Sequence, residues 1–354
     1  MNTVAQDTTI VTVVGARPQF IKAAPVSKAL KAAGIREILV HTGQHFDDNM
    51  SALFFRELDI PAPAYQLDIN SLGHGAMTGR MLEAIEGVLL KEKPAMMLVY
   101  GDTNSTLAGA LAAAKLHIPV AHVEAGLRSF NRAMPEEINR ILTDQLSDLL
   151  FCPTATAVEH LARENIHQGV LQVGDVMMDA TIDAVKRAEK ESRILAELGL
   201  APKTYAVATL HRAENTDDAA RFARLIAWLE SQGEVQPIIM PVHPRTRKMI
   251  AALPHPPKHL TLIEPLGYLD MAWLLNHANA VFTDSGGLQK EAYFHRVPCV
   301  TLREETEWVE TIEAGWNRLW NVADYRPRRE ITEYGSGDAS TKIAETINDF
   351  LHNR

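Results

Sequence analysis

Residues 10–22 of this chain are IVTVVGARPQFIK, an apolar run that ends at Gly15 and is followed by a segment of helical period. Valine and isoleucine favour strands, and Pro18 suits the first turn of a helix. The stretch therefore predicts one strand–helix unit. The intervening turn lacks the G-x-G-x-x-G pattern, so the sequence gives no dinucleotide-binding fingerprint at this point.

Similar units recur along all 354 residues, a length that allows two separate buried cores. Short strands alternating with helices predict an α/β fold of two Rossmann-like, doubly wound domains that face each other across a cleft. We assign residues 1–176 plus 343–354 to the first domain and 177–342 to the second. The predicted strands are 10–14, 37–41, 96–100, 120–123, 149–152 and 171–173, and then 205–210, 237–241, 260–263, 280–283 and 299–302.

Composition excludes several classes of function. The net charge is -9, from 35 basic and 44 acidic residues, which argues against binding to nucleic acid or to an anionic membrane through charge. The two cysteines, Cys152 and Cys299, provide neither a disulfide framework nor a Cys-based zinc site. No apolar run is long enough to span a membrane, and the N-terminus lacks the order of a signal peptide. We expect a cytoplasmic protein.

Three carboxylates follow predicted strands of the first domain, where open parallel sheets bind their ligands. Asp102 alone is better explained as a helix cap, and Glu136 alone as a complement to a helix dipole. Glu124 follows an apolar strand and needs a partner if buried, for which Arg128 and Arg140 are the candidates. Together, Asp102, Glu124 and Glu136 form an acid/base constellation.

Positive and hydroxyl-bearing groups at other strand ends indicate an anionic ligand. Arg17 and Lys22 could meet an anion at the first helix N-terminus, although a solvated basic turn explains them equally well. His211 and His243 follow consecutive strands of the second domain. The turn at residues 283–291, TDSGGLQKE, offers hydroxyl and backbone N–H donors to a phosphate. Its Glu291 could accept two ribose hydroxyls or lie on a solvated helix face.

Seven motifs follow one another along the chain: GARPQFIK, GDTNST, HVEAGLRS, MPEEINR, TLHRAEN, PVHPRT and TDSGGLQKEA. In this order they resemble the non-hydrolysing UDP-N-acetylglucosamine 2-epimerase family. The resemblance covers nearly the whole chain and implies the two-domain GT-B architecture, a UDP-sugar substrate in the interdomain cleft, and neither metal nor nicotinamide cofactor. We also expect a homodimer.

The resemblance also implies roles for individual residues. Asp102, Glu124, Glu136 and His211 match the family's catalytic positions. Substrate binding is implied for Arg17, Lys22, His243, Tyr268, Ser285, Gly286, Gly287, Glu291 and Arg303. Of these, Arg17 and Lys22 match the basic pair at the diphosphate, and the turn from Ser285 to Gly287 matches the phosphate turn. Glu291 matches the ribose-binding carboxylate, and Tyr268 lies in the segment near uracil.

Two departures from the family pattern bear on the substrate. The family's UDP-GlcNAc epimerases often carry a glutamine that belongs to a second, activating substrate site. In this chain the corresponding stretch is Phe46, Asp47 and Asp48. The run of residues 303–310, REETEWVE, looks more like the branch acting on UDP-2,3-diacetamido-2,3-dideoxy-glucuronic acid, an intermediate of lipopolysaccharide O-antigen sugars. In that branch Arg303 could meet the sugar carboxylate.

The reaction that the resemblance implies is inversion at C2 of a UDP-2-acetamido sugar. The hydrogen at C2 is not next to a carbonyl, so simple enolisation is not open to this substrate. Elimination of UDP across C1 and C2, followed by readdition, needs a clamp on the leaving diphosphate and carboxylates that serve both faces of C2. Which carboxylate serves which face is left open.

Other functions remain open. They are a UDP-GlcNAc 2-epimerase, a hydrolysing epimerase that releases free sugar and UDP, a GT-B glycosyltransferase, a UDP-sugar sensor without catalysis, and a metal-dependent hydrolase. The last would use His41, His122, Glu124, His211 and His243, whose spacing matches no compact zinc pattern.

Overall fold

Each half of the chain forms its own parallel β-sheet flanked by helices, in a computed structural model that describes residues 8–44 and 57–353. Contacts divide the chain into two units. The first unit holds the residues up to Ala180 together with those from Thr332 onward, and the second unit is Thr181–Ile331. The predicted fold class, two doubly wound α/β units of Rossmann type, is confirmed.

The sheet of the first unit has the strand order β3-β2-β1-β4-β5-β6-β7, with every pair parallel. From the centre of the sheet, strands β1 to β3 are added on one side and strands β4 to β7 on the other. The loops after β1 and β4 therefore diverge and leave room for a ligand between them. The strands are β1 (Thr9–Val14), β2 (Arg36–His41), β3 (Tyr65–Gln66), β4 (Met96–Tyr100), β5 (Val120–Val123), β6 (Leu149–Cys152) and β7 (Val170–Gln172).

Apolar residues bury both faces of this sheet. Val13 and Val99 are register partners in β1 and β4, and both pack in one cluster with Ile85 of a flanking helix. Strands covered on both faces read as continuous apolar runs, which is why their bounds could be predicted. The helices of the unit are Arg17–Ala32, His74–Glu92, Asn104–Lys115, Pro135–Leu146, Ala155–Arg163 and Ala339–His352, with Val176–Glu191 crossing into the second unit and a 3₁₀ turn at Thr332–Tyr334.

The sheet of the second unit has the order β10-β9-β8-β11-β12-β13, again all parallel. The strand order of this sheet reverses between β8 and β11, so the loops after these two strands diverge and leave room for a ligand between them. The strands are β8 (Ala206–Thr209), β9 (Ile238–Pro241), β10 (Leu260–Ile263), β11 (Ala280–Thr283), β12 (Cys299–Thr301) and β13 (Asn317–Leu319). The helices are Ile194–Glu197, Ala213–Thr216, Ala219–Gly233, Pro244–Ala251, Tyr268–Asn276, Gly286–Phe294 and Val309–Glu313.

Residues 332–342 join the first unit, whereas the sequence analysis gave them to the second domain. The Asp175 amide donates to the Tyr334 carbonyl at 3.0 Å. Further along, the Ser340 amide and hydroxyl both donate to Asp179 Oδ1, at 2.8 and 2.6 Å. These hydrogen bonds fix the returning chain up to the first turn of the last helix, Ala339–His352, and a sequence pattern does not reveal such side-chain partners.

Candidate active site

Gln19 joins the two loops at the reversal point of the first sheet. Its Oε1 accepts hydrogen bonds from the amides of Gly15 and Ala16, at 2.7 and 3.1 Å. Its Nε2 donates to the Tyr100 carbonyl at 2.7 Å and to Thr106 Oγ1 at 3.0 Å. The side chain is 2% exposed, so these bonds are shielded from water. Gln19 was not predicted from the sequence, although an amide in the first turn of the helix after β1 was the available signal.

Glu124 lies directly after β5 and forms an ion pair with Lys22. Both side chains are about one-tenth exposed. The predicted partners, Arg128 and Arg140, are wrong, because each of them pairs with other carboxylates. Glu124 has a φ of 74°, in the left-handed region that non-glycine residues rarely adopt. The charge of Lys22 is therefore already balanced by Glu124, while Arg17 is exposed at the start of its helix.

Asp102 accepts two hydrogen bonds from Arg140 and does not cap a helix. Arg140 Nε and Nη2 lie 3.0 and 2.6 Å from Asp102 Oδ2, and its Nη1 donates to Glu137 Oε2 at 2.8 Å. Burial alone would lower the pKa of Arg140, but Asp102 and Glu137 together raise it. The capping prediction for Asp102 is wrong, because Thr103 is the cap and its Oγ1 accepts from the Thr106 amide.

Glu137, which the sequence analysis did not select, is the buried acid at the start of helix Pro135–Leu146. It is 1% exposed and accepts from the Ser129 amide, the Ser129 hydroxyl and the Phe130 amide, each at 2.9 Å. Burial would raise its pKa, but these bonds and Arg140 lower it. Its neighbour Glu136, the predicted residue, is half-buried on the same first turn.

The two acid groups of the first unit lie on adjacent loops. A β-carbon built on Gly101 would lie 3.5 Å from Glu124 Oε2, and Gly101 immediately precedes Asp102. The structure thus brings Glu124 to the loop that carries Asp102, with a lysine holding one carboxylate and an arginine the other. Two carboxylates held in different environments are suited to separate acid and base roles.

Asp284, another residue missed from sequence, holds the predicted His211 in the second unit. It follows β11, is fully buried, and accepts from the His211 amide at 3.0 Å and the Arg212 amide at 2.9 Å. His211 Nδ1 lies 3.4 Å from Asp284 Oδ1, and 45% of the histidine side chain is exposed. The loops after β8 and β11 are thereby joined, and the imidazole remains accessible.

The predicted phosphate turn begins helix Gly286–Phe294. Ser285 is its N-cap and accepts from the Leu288 amide through Oγ at 3.5 Å. The Glu307 carboxylate approaches Gly286 so closely that a β-carbon at this position would force the Glu307 side chain to move. Glu291 Oε1 would lie 3.7 Å from a β-carbon on Gly287, which puts the predicted ribose-binding carboxylate beside the turn.

Arg303 is held by two carboxylates of its own unit. Its Nε donates to Glu214 Oε1 at 3.1 Å and its Nη1 to Glu307 Oε2 at 2.8 Å, and the residue is 8% exposed. Burial would raise the pKa of Glu307, but its own backbone amide and Arg303 lower it, with Arg212 adding to the effect. A ligand carboxylate at Arg303 would therefore compete with Glu214 and Glu307.

The remaining predicted residues lie at three other places. His243 is exposed after β9, and Tyr268 is 5% exposed at the start of helix Tyr268–Asn276. Phe46, Asp47 and Asp48, on which the prediction about activation depends, lie outside the described residues.

Two further properties concern membranes and metals. No helix within residues 8–44 and 57–353 is long and apolar enough to cross a membrane. The same residues contain no group of three or more His, Cys, Asp or Glu side chains placed to hold a metal ion. His122, one of the histidines considered for a metal site, has both ring nitrogens next to the oxygens of Asp144 and Gly101.

Comparison with known proteins identifies the family. The family model described as UDP-N-acetylglucosamine 2-epimerase matches residues 28–348. The chain belongs to this family. The resemblance stated from the sequence motifs is therefore confirmed, and the chain is a UDP-sugar 2-epimerase of the UDP-N-acetylglucosamine 2-epimerase family.

Similar members of the epimerase family come from archaea and bacteria. A "UDP-N-acetylglucosamine 2-epimerase homolog" of Methanococcus maripaludis is 53% identical over 96% of this chain and 99% of that protein. The UDP-2,3-diacetamido-2,3-dideoxy-D-glucuronate 2-epimerase of Pseudomonas aeruginosa is 52% identical over the same shares. The crystal structure of Methanocaldococcus jannaschii UDP-GlcNAc 2-epimerase with UDP-GlcNAc and UDP is 41% identical, covers 96% of this chain and 99% of that chain, and has a TM-score of 0.84.

Proposed function

We propose that this epimerase inverts C2 of UDP-2,3-diacetamido-2,3-dideoxy-glucuronic acid by eliminating and readding UDP. The observation that carries the reaction is the pair of strand-end carboxylates held by different cations, Glu124 by Lys22 and Asp102 by Arg140. Inversion needs one group to remove the C2 proton and another to deliver a proton from the opposite face. Two carboxylates with different partners meet that need.

In the proposed elimination, a carboxylate takes the C2 proton while the C1–O bond to UDP breaks. The products are UDP and a 2-acetamidoglucal with a C1–C2 double bond. A proton then returns to the other face of C2 as the diphosphate attacks C1. We assign these proton transfers to Asp102, Glu124 and Glu136 as a group.

The second unit takes the nucleotide in this proposal. Donors fixed before the reaction stabilise charge that grows on a leaving group, without reorganisation at the moment of bond breaking. The turn from Ser285 to Gly287 and the exposed imidazole of His211 are such donors for the diphosphate. Glu291, beside Gly287, accepts the ribose hydroxyls. We assign Arg17 to the diphosphate too, whereas Lys22 can serve it only while sharing its charge with Glu124.

The choice of sugar depends on the run from Arg303 to Glu310 and on the Pseudomonas aeruginosa relative, whose stated substrate is the diacetamido glucuronate. The equally similar Methanococcus maripaludis relative, described as a UDP-N-acetylglucosamine 2-epimerase homolog, makes UDP-GlcNAc the second candidate. Both substrates are UDP-2-acetamido sugars, so the proposed chemistry is the same for either.

The decisive experiment incubates the purified protein with both UDP-sugars and follows the configuration at C2 by NMR. We expect inversion of the diacetamido uronate at a much higher kcat/KM than that of UDP-GlcNAc. Efficient inversion of UDP-GlcNAc alone would overturn the substrate assignment and leave the mechanism standing. Release of free sugar plus UDP as main products would identify a hydrolysing enzyme instead.

A second experiment tests the path in deuterium oxide. Because the returning proton comes from a different group, the inverted product should carry deuterium at C2. Slow release of the glucal and UDP should accompany it, and oxygen-18 in the sugar–phosphate bridge should exchange position. Retention of the original C2 hydrogen, or a C1–O bond that never breaks, would contradict elimination.

A further inference from the structure

A buried charged network lies directly beneath the two acidic loops of the first unit. Its centre is Asp144, 1% exposed, on helix Pro135–Leu146. Asp144 Oδ1 lies 2.7 Å from His122 Nδ1, and its Oδ2 accepts from Arg128 Nη1 at 2.7 Å and from the Gly126 amide at 3.1 Å. None of the roles proposed above uses these residues.

The network connects both acidic loops. His122 Nε2 donates to the Gly101 carbonyl at 2.7 Å, and Gly101 is the residue before Asp102. His122 and Gly126 stand two residues before and two residues after Glu124 in the chain, and both are bound to Asp144. One buried carboxylate therefore fixes the backbone on each side of Glu124 and, through the histidine ring, the residue next to Asp102.

Glu124 needs this support because of its own conformation. Its φ of 74° is a strained backbone state for a residue with a β-carbon, and such states persist only where the surroundings hold them. The Glu124 and Ala125 amides both donate to the Phe151 carbonyl, each at 3.1 Å. Those bonds hold the peptide groups of Glu124 itself, and the Asp144 network holds the chain at His122 and Gly126, on both sides of it.

Further hydrogen bonds hold the members of the network in place. His122 is fully buried, with Nδ1 next to Asp144 and Nε2 donating to the Gly101 carbonyl. Arg128 gives two further hydrogen bonds to Glu164, from Nε and Nη2 to the two carboxylate oxygens, each at 2.7 Å. Asp144 is thus held by the His122 ring, the Arg128 guanidinium and the Gly126 amide, as a buried carboxylate requires. Burial, and next Asp144, raise the pKa of the nearby Cys152 thiol.

We propose that His122 and Asp144 are positioning residues for C2 inversion: the pair fixes Asp102 and Glu124 in reacting geometry without touching the substrate. The inference rests on the proposed roles of those two carboxylates. A shift of about 1 Å in a reacting group can lower turnover by about 100-fold. We therefore expect the network to act on kcat and to leave nucleotide binding alone.

The test compares Asp144→Asn and His122→Asn with wild type, using the substrate that wild type inverts. We expect kcat to fall by about 10- to 100-fold, with KM and the Kd for UDP within about twofold. Asp148→Asn is the matched control, because Asp148 accepts a hydrogen bond from the Val120 amide at 2.9 Å, at the end of β5 that lies away from Glu124. Its kcat should stay within about twofold of wild type.

Nitrogen-15 NMR of wild-type protein labelled at histidine adds a measurement that needs no variant to fold. The proton on His122 Nε2, which donates to the Gly101 carbonyl, should be protected from exchange with solvent. Rapid exchange of that proton, or folded variants with wild-type kcat, would overturn the positioning role. Wild-type protein that inverts neither UDP-sugar would instead overturn the proposed function, and this inference with it.

Discussion

At the scale of single residues, Glu124 combines a strained backbone with a charge that is almost buried. The left-handed turn directs the carboxylate toward Lys22 and Gly101, and the ion pair compensates for its desolvation. A residue with only a structural role could reach this balance with an ordinary backbone conformation. The strain is therefore the feature that ties Glu124 to the proposed proton transfer.

Replacing Glu124 with glutamine should abolish most of the turnover and leave the fold intact. The amide keeps the shape of the side chain but can neither take nor hold a proton, so we expect kcat to fall by about 100- to 10,000-fold. The Kd for UDP, measured by calorimetry, should stay within about twofold. Glu159→Gln, on an exposed helix face, serves as the control. Near-normal turnover of Glu124→Gln would mean that its pair with Lys22 is purely structural.

Both cysteines should be inert in the folded protein. Cys152 is fully buried, and burial, with Asp144 nearby, raises its pKa to about 12. Burial also raises the pKa of Cys299. The reactive thiolate is therefore scarce and inaccessible. Titration with a thiol reagent at pH 8 should modify neither cysteine in native protein and both after denaturation. Rapid labelling before unfolding would contradict this burial.

At the scale of elements, strand β2 carries the partly buried acid Glu37 near its first residue, at the end of the sheet opposite the loops after β1 and β4. Glu37 Oε1 accepts from Thr12 Oγ1 at 2.6 Å, and its Oε2 is buried. Burial raises the pKa of Glu37, and hydrogen bonds with Ser27 and Thr12 only partly oppose the effect. The folded state therefore favours the protonated acid.

Glu37→Gln should remove part of the pH dependence of stability. A raised carboxyl pKa gives stability that is fully present below the ordinary glutamate pKa and is lost as pH rises through the folded value. Urea unfolding from pH 4 to 8 should show wild type losing more of its free energy of unfolding than the variant does. Parallel curves would mean that Glu37 is ionised in the folded state.

The buried strands could be predicted from the sequence, whereas two of the four edge strands were missed for a physical reason. Met96–Tyr100 is covered on both faces and reads as an unbroken apolar run. Tyr65–Gln66 and Asn317–Leu319 are edge strands of two and three residues, too short and too polar to stand out. The partners of the strand ends could not be predicted either: Lys22, Arg128 and Arg140 have the same sign, and only the fold decides which carboxylate each of them reaches.

At the scale of the whole molecule, the first unit is discontinuous in sequence. Helix Ala339–His352 packs against helix Arg17–Ala32, and Ile343 and Ile347 of this last helix are fully buried. The hydrogen bonds between Ser340 and Asp179 fix its start. The last turns of the described chain are therefore part of the core of the unit that begins it.

Truncating Ile347 to alanine should destabilise the first unit more than the second. Removal of a buried isoleucine side chain typically costs 2–5 kcal/mol. Hydrogen exchange should show faster opening of amides in β1 and β4, with those of β8 and β11 little changed. Phe350→Ala, in the same helix at a less buried position, is the control and should have a smaller effect. Equal acceleration in both sheets would mean that the two units unfold together.

The return of the chain to its first unit has a consequence for synthesis on the ribosome. Every strand of the second sheet has been translated by Leu319, whereas the helix that completes the first core ends only at His352. The first unit therefore cannot complete its core until the whole second unit has been synthesised. Until then, helix Arg17–Ala32 lacks the last helix that packs against it. Domains generally fold as units from the amino terminus during translation. Here, all residues of the second unit are synthesised before those of the first unit are complete.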